Sequence, residues 1–224
     1  MTFSIVARSS CGQLFGVAAL TEMPAVGKLL SHAWPGAGAA ATQAKVNPYL
    51  GIDAMELLRK GVDAAEALQR LICADPRADE RQLAVIGATG PAVTWTGADC
   101  IAYAGALERV DFSVQGNRLA GPHVLEAMAE AYQGSCDAPF DERLIRAVEA
   151  GEAAGGDRKG ERSANLLIVS TEEYPLWDIR VDEHEDPAGE LRRLHDVFRD
   201  DVLPELLSMP TRGHPAGEKD ETVI

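Results

Sequence analysis

Thr2 has the most direct route to chemistry in this sequence. When Met1 is removed, one residue carries both a hydroxyl nucleophile and a free α-amine. Such an amine titrates at about pH 8, so at neutral pH part of it acts as a base beside its own nucleophile. Thr is also an ordinary residue at position 2, and retention of Met1 leaves it without a free amine. A second constellation is Asp182, His184 and Asp186 in the string VDEHEDP. On an extended chain these three fall on one side, as a divalent-metal triad requires. The same string reads as a solvated acidic strand end leading into a helix at Pro187, with His184 paired to a neighbouring acid, and this is the reading adopted.

Other candidates are weaker. His32 and His123 have no ligand partners at recognisable spacing and are read as structural. Cys11 lies in a turn, far in sequence from any base. No Ser sits in a G-x-S-x-G elbow. The small-residue run at 36–44, GAGAAATQA, has neither GK[ST] nor G-x-G-x-x-G spacing, so it reads as a tightly packed buried strand. Trp34, Trp95 and Trp177 are read as core or rim residues.

Thr2 opens a hairpin, with strands expected over 3–8 and 14–20 and a turn through Ser9, Ser10, Cys11 and Gly12. The second strand is almost wholly apolar and suits a central position. Residues 23–30 read as a connection or short edge strand, and Asn47-Pro48 as a turn. Helices are expected over 49–60, ended by Gly61, and over 64–74, capped by Asp63. Strands follow over 81–88, 92–96, 101–106 and 110–114. Two more helices are expected over 120–133 and 141–151, the second with Asp141 as N-cap. Strands 163–169 and 177–181 and an amphipathic helix over 187–207 complete the order. Strands in hairpins and helices in pairs, without strict βαβ alternation, predict two mostly antiparallel sheets face to face with helices outside: an α+β, four-layer αββα sandwich. One domain is expected over 1–207, with a disordered polar tail at 208–224.

The composition is 46% hydrophobic and 25% charged, with net charge −14, which describes a soluble globular protein. Phosphate contacts dominate nucleic-acid affinity, so this charge argues against nucleic acid or an anionic membrane as partner. No apolar run is long enough to span a bilayer, and the start lacks a signal-peptide pattern. Cys11, Cys73, Cys100 and Cys136 show no CxxC spacing and read as reduced thiols of a cytoplasmic protein.

The strings TFSIVAR, GAGAAATQAKVNPYLG, RQLAVIG, WTGADC, VQGNRLAG, AGGDRKGERSANLLIV and RVDEHEDP, in this order, resemble the DUF1028 family of bacteria and archaea, over residues 2 to about 198. That family is grouped with Ntn-hydrolase-like proteins, so the resemblance implies the αββα fold. It implies no established reaction. Similarity to the wider Ntn hydrolases implies Thr2 as the nucleophile. It also implies Gln115-Gly116-Asn117 as the counterpart of a Gly-Ser-Gly turn before a helix, with Asn117 replacing serine, and Asp157 and Ser163 as residues bracketing the nucleophile. Two departures stand out. No acid occupies Leu20 or Thr21, and no lysine occupies Thr42 or Gln43, the nearest being Lys45. Gln43 and Asn47 remain as neutral oxyanion donors.

Two functions follow from this reading. One is a hydrolase of an amide bond in a small molecule or short peptide, needing no cofactor or metal, with Thr2, Asn117, Asp157, Ser163, Gln43 and Asn47 as its site. The other is a non-catalytic binding or assembly protein that keeps the fold. A homodimer is compatible with either.

Overall fold

A computed structural model describes residues 2–217. Strands β1 (Thr2–Arg8) and β2 (Phe15–Thr21) form the opening hairpin, both buried throughout. Gly12 turns the chain with φ 74°, and Ser9 closes the loop by accepting the Leu14 N–H on its Oγ at 3.0 Å. Next come β3 (Ser31–Trp34) and β4 (Gly38–Ala44), then helices α1 (Pro48–Arg59) and α2 (Ala64–Ala74). Asn47 caps α1 and Asp63 caps α2, each carboxyl or amide oxygen accepting a first-turn N–H. Strands β5 (Arg81–Gly87), β6 (Val93–Thr96), β7 (Gly105–Glu108) and β8 (Phe112–Asn117) precede α3 (His123–Gly134) and α4 (Phe140–Ala153). The order closes with β9 (Ser163–Val169), β10 (Trp177–Val181), α5 (Pro187–Val197) and α6 (Leu203–Ser208).

All strand pairs are antiparallel. One sheet runs β10-β9-β2-β1-β8-β7 and the other β3-β4-β5-β6. Strand alternation sorts the side chains into three cores. Phe3, Ile5, Leu20 and Leu166 point from the larger sheet toward Leu125, Met128 and Leu144 of α3 and α4. Val6, Phe15, Val17, Ala39, Ala41 and Ile86 fill the space between the sheets, where the alanines permit close approach. Leu83 and Val85 face Leu50, Leu58 and Leu71 of α1 and α2. The layers are therefore helix, sheet, sheet, helix: the αββα sandwich.

The expected and observed elements differ in a few places. The four-residue edge strand β3 is half-buried and too short to announce itself. Gln115-Gly116-Asn117 is no turn. It is the end of β8, continued because β1 pairs with it as far as Thr2. The strand expected over 101–106 begins only at Gly105. α4 starts one residue before Asp141, with Pro139 at the N-cap position. The Asp141 carboxylate instead accepts from buried His195 Nε2 at 2.7 Å. The helix over 187–207 is broken by a wider turn at Phe198–Val202, ahead of Pro204, which has no N–H to continue the ladder. Residues 209–217 are held by Tyr174 Oη donating to the Pro210 carbonyl at 3.2 Å and by an Arg212–Glu173 ion pair. Residues 1 and 218–224, including Met1 and the rest of the expected tail, lie outside the described residues.

Gly51 sits inside α1, where Gly ordinarily costs about 1 kcal/mol relative to Ala. A Cβ there would meet the His32 ring at 2.1 Å. Gly51→Ala should therefore lower stability in urea unfolding by about 1–3 kcal/mol. In a His32→Ala background the same change should raise it.

Candidate active site at the open end of the sandwich

The registers of β9, β2, β1 and β8 place Ser163, Thr21, Thr2 and Asn117 in one row across the larger sheet. All four are buried. Thr2 and the even positions after it, Ser4 and Val6, face the second sheet. Thr2 Oγ1 lies 3.0 Å from Thr21 Oγ1. Ser163 Oγ donates to the Met23 carbonyl at 2.6 Å and accepts from Val26 N–H at 3.1 Å. Its hydroxyl thus shapes the loop after β2.

Behind this row the space between the sheets turns polar. Ser113 Oγ donates to Gln115 Oε1 (3.0 Å), Gln115 Nε2 to Ser4 Oγ (2.7 Å), and Ser4 Oγ to Gln43 Oε1 (2.7 Å). Gln43 Nε2 then donates to Gln82 Oε1 at 2.8 Å and to the Gln115 carbonyl at 3.4 Å. Asn117 Nδ2 reaches the same Gln82 oxygen at 3.0 Å. Every member is buried, as a polar cluster inside a sandwich permits only when each group is paired. This placement corrects the role given to Gln43, whose N–H groups are engaged inside the network. Asn47 is likewise engaged: its Oδ1 caps α1 and its Nδ2 donates to Asp75 Oδ2 at 2.9 Å. Gln43 is thus paired within the network and Asn47 at the start of α1.

Beside Asn117 the chain turns through Arg118, whose φ of 59° lies in the left-handed region. Arg118 pairs with Glu22, and its Nη2 stands 3.8 Å from Asp157 Oδ2. Lys159 Nζ lies 3.7 Å from Glu22. Asp157 forms a β-bridge with Leu119, two residues past Asn117, so the 155–163 loop closes over the same end. Asp157 Oδ1 accepts the Lys159 N–H at 2.7 Å, but Oδ2, fully buried, has no hydrogen-bond partner among the described residues. Burial pushes the Asp157 carboxyl above its ordinary range. For Glu22, partial burial is outweighed by the hydrogen bond and charge of Arg118 and by Lys159, which hold it below the usual range.

Asn117 and Arg118 also line a cavity of about 450 Å³ with Lys45, Glu80, Asp99 and Cys100. A larger groove of about 750 Å³ lies between β3 and α1, beside Trp34 with Arg59 stacked on it, and holds none of the site residues. Among the described residues no group of three His, Cys, Asp or Glu is placed to hold a metal ion. Asp186 caps α5 through Gly189 N–H, and its own N–H donates to His184 Nδ1 at 3.0 Å. The four cysteines are free thiols. No helix among the described residues is long and apolar enough to cross a membrane.

The model of the family of unknown function DUF1028 matches residues 2–191. The chain belongs to the DUF1028 family. Among solved structures, protein SPO2555 from Silicibacter pomeroyi, which carries the same family model, superposes with TM-score 0.90 at 29% identity, covering 100% of this chain and 97% of that one. Anbu, the ancestral beta-subunit from Yersinia bercovieri, aligns with TM-score 0.43 at 12% identity, over 91% of this chain and 97% of that one. No curated protein matches the sequence.

Thr2, Asn117, Asp157 and Ser163 thus come together in this DUF1028 protein, while Gln43 supports them from behind and Asn47 serves a helix. Sequence reasoning missed Thr21, Glu22, Arg118 and Gln82. Gln82 did leave a signal: it is a polar residue on an inward position of the otherwise apolar strand RQLAVIG, in step with Gln43 and Gln115.

Glu152, at the end of α4, is pushed up to about 7 by burial and by Glu161, Asp186 and Glu149. A raised carboxyl pKa means that the folded state binds the proton more tightly, so stability falls as pH rises from about 4.5 to 7. Glu152→Gln should therefore be more stable than the parent at pH 8. The two should converge below about pH 4.5 in thermal unfolding across that range.

Proposed function

We propose that this protein is a cytoplasmic N-terminal-nucleophile amidohydrolase acting on a small molecule or short peptide, with Thr2 as nucleophile after Met1 is removed. The observation that carries this reading is the buried Asp157 Oδ2, which has no hydrogen-bond partner among the described residues and Arg118 Nη2 only at 3.8 Å, at the sheet end where Thr2, Thr21 and Asn117 stand in register. A buried carboxylate oxygen without a hydrogen bond calls for a close donor, a charged one above all. An α-ammonium on Thr2 is the group this end of the fold would supply.

Thr2 Oγ1 attacks the substrate carbonyl carbon while the neutral α-amine takes the hydroxyl proton. The tetrahedral intermediate collapses, the C–N bond breaks, and the ammonium returns its proton to the leaving amine. Water, deprotonated by the same amine, then hydrolyses the acyl ester and restores Thr2. Thr21 orients the nucleophile, Asp157 holds and stabilises the ammonium, and the second N–H of Asn117 Nδ2 faces the developing oxyanion.

A binding or assembly protein is the second reading. It is favoured by the absence, among the described residues, of a lysine paired with Thr2, since Lys45 is tied to Glu80 at 3.4 Å on the rim.

A β-lactone probe with peptide mapping separates them. The hydrolase reading expects label on Thr2, none in Thr2→Ala, and a labelling rate lowered about fivefold in Thr21→Val, which removes the hydroxyl contact to Thr2, worth about 1 kcal/mol, along with the Met23 N–H bond. An unlabelled parent protein with an intact fold would favour the binding reading.

A further inference from the structure

Gln82 is wholly buried on β5, on the sheet that does not carry Thr2, and it reaches the cavity only through Asn117. Its carboxamide has only one workable orientation. Nε2 faces the Gly116 carbonyl at 2.9 Å, the Gly105 carbonyl at 3.1 Å and Thr96 Oγ1 at 2.9 Å. Backbone carbonyls only accept, so a reversed amide would set Oε1 against two oxygens in a buried space. Oε1 must therefore point the other way, toward Gln43 Nε2 and Asn117 Nδ2.

This polarity propagates. Because Gln82 offers an acceptor, Asn117 must present Nδ2 to it, and Asn117's own flip state is fixed. The Ser113, Gln115, Ser4 and Gln43 chain donates toward the same oxygen, so the network converges on one atom. Hydrogen bonds in such a chain polarise one another.

We propose that Gln82 is a positioning residue that sets the orientation of the Asn117 carboxamide beside Thr2. Two backbone carbonyls on β7 and β8 act through Gln82 to do so. The role in reactivity rests on the nucleophile reading above, whereas the orientation itself does not.

Two readouts test it. The first is NMR of the Asn117 side-chain amide, with backbone amides of β5 and β8 as the control for the fold. In the parent protein one Asn117 Nδ2 proton should exchange slowly. In Gln82→Leu it should exchange at least tenfold faster while the backbone amides keep their protection. Unchanged Asn117 exchange would overturn the proposal whatever Thr2 does.

The second readout is the β-lactone labelling rate of Gln82→Glu relative to the parent at each pH, which cancels the titration of the α-amine. The carboxyl that this variant introduces, when protonated, donates to one of the carbonyls and accepts from Asn117; when ionised it cannot donate. The ratio should approach 1 in acid and fall about tenfold or more as pH rises. A ratio that does not vary with pH would overturn the proposal. An unlabelled parent protein with a slowly exchanging Asn117 amide would instead remove the nucleophile reading and the catalytic purpose of the tie, leaving the orientation standing.

Discussion

The structure depends on a constraint at the interface of its two sheets: carboxamides buried there must be paired on both ends. An unsatisfied buried amide costs about 1–3 kcal/mol, and this interface encloses those of Gln43, Gln82 and Gln115, with Asn117 Nδ2 joined to Gln82 at its end. Their pairing is met only when β4, β5, β1 and β8 keep their registers. A one-residue slip of any strand would turn its polar residues into an apolar helix layer. The network therefore locks the two sheets together, and in doing so it fixes the end of the sandwich where Thr2 stands.

From that end the interface changes character with depth. Near Arg8 and Phe15 it is apolar and tightly packed around alanines, and near Thr2 it is hydroxyls, amides and one buried carboxylate. The helical layers contribute by backing β1 and β8, with Phe3, Val114 and Leu119 packed against α3 and α4. The 155–163 loop adds Asp157, and the turn after β8 adds Arg118. The charged groups are balanced between Glu22, Arg118, Asp157 and Lys159, which keeps a cluster of opposite signs at the rim of a strongly acidic molecule.

Much of the fold was legible because the relevant signals are local. Asp63 followed by an apolar face at helical spacing placed α2 to the residue, and the apolar runs of β5 and β9 and the alternation of β10 placed those strands closely. What local signals cannot carry is which polar residue meets which. Gln115-Gly116-Asn117 reads as a turn by composition, and only pairing with β1 makes it a strand end. Gln43 and Asn47 are donors by type, yet partners distant in sequence, Gln82 and Asp75, engage them. Glu22 and Arg118 are ordinary surface residues until the fold brings them beside Asp157. The likeness to the wider Ntn hydrolases pointed to Thr2, Asn117, Asp157 and Ser163 without showing that three of them stand in one row across a sheet, with the loop that bears Asp157 bridged to the same end.

The central claim is that Thr2 presents a free α-amine. The intact mass of the untagged protein, expressed from its own start codon, tests this most directly. The expected mass is lower than that of the encoded chain by one methionine residue, with Thr2 as the first residue on N-terminal sequencing. A mass that retains Met1 would contradict it, because Thr2 would then have an amide where the mechanism requires a base.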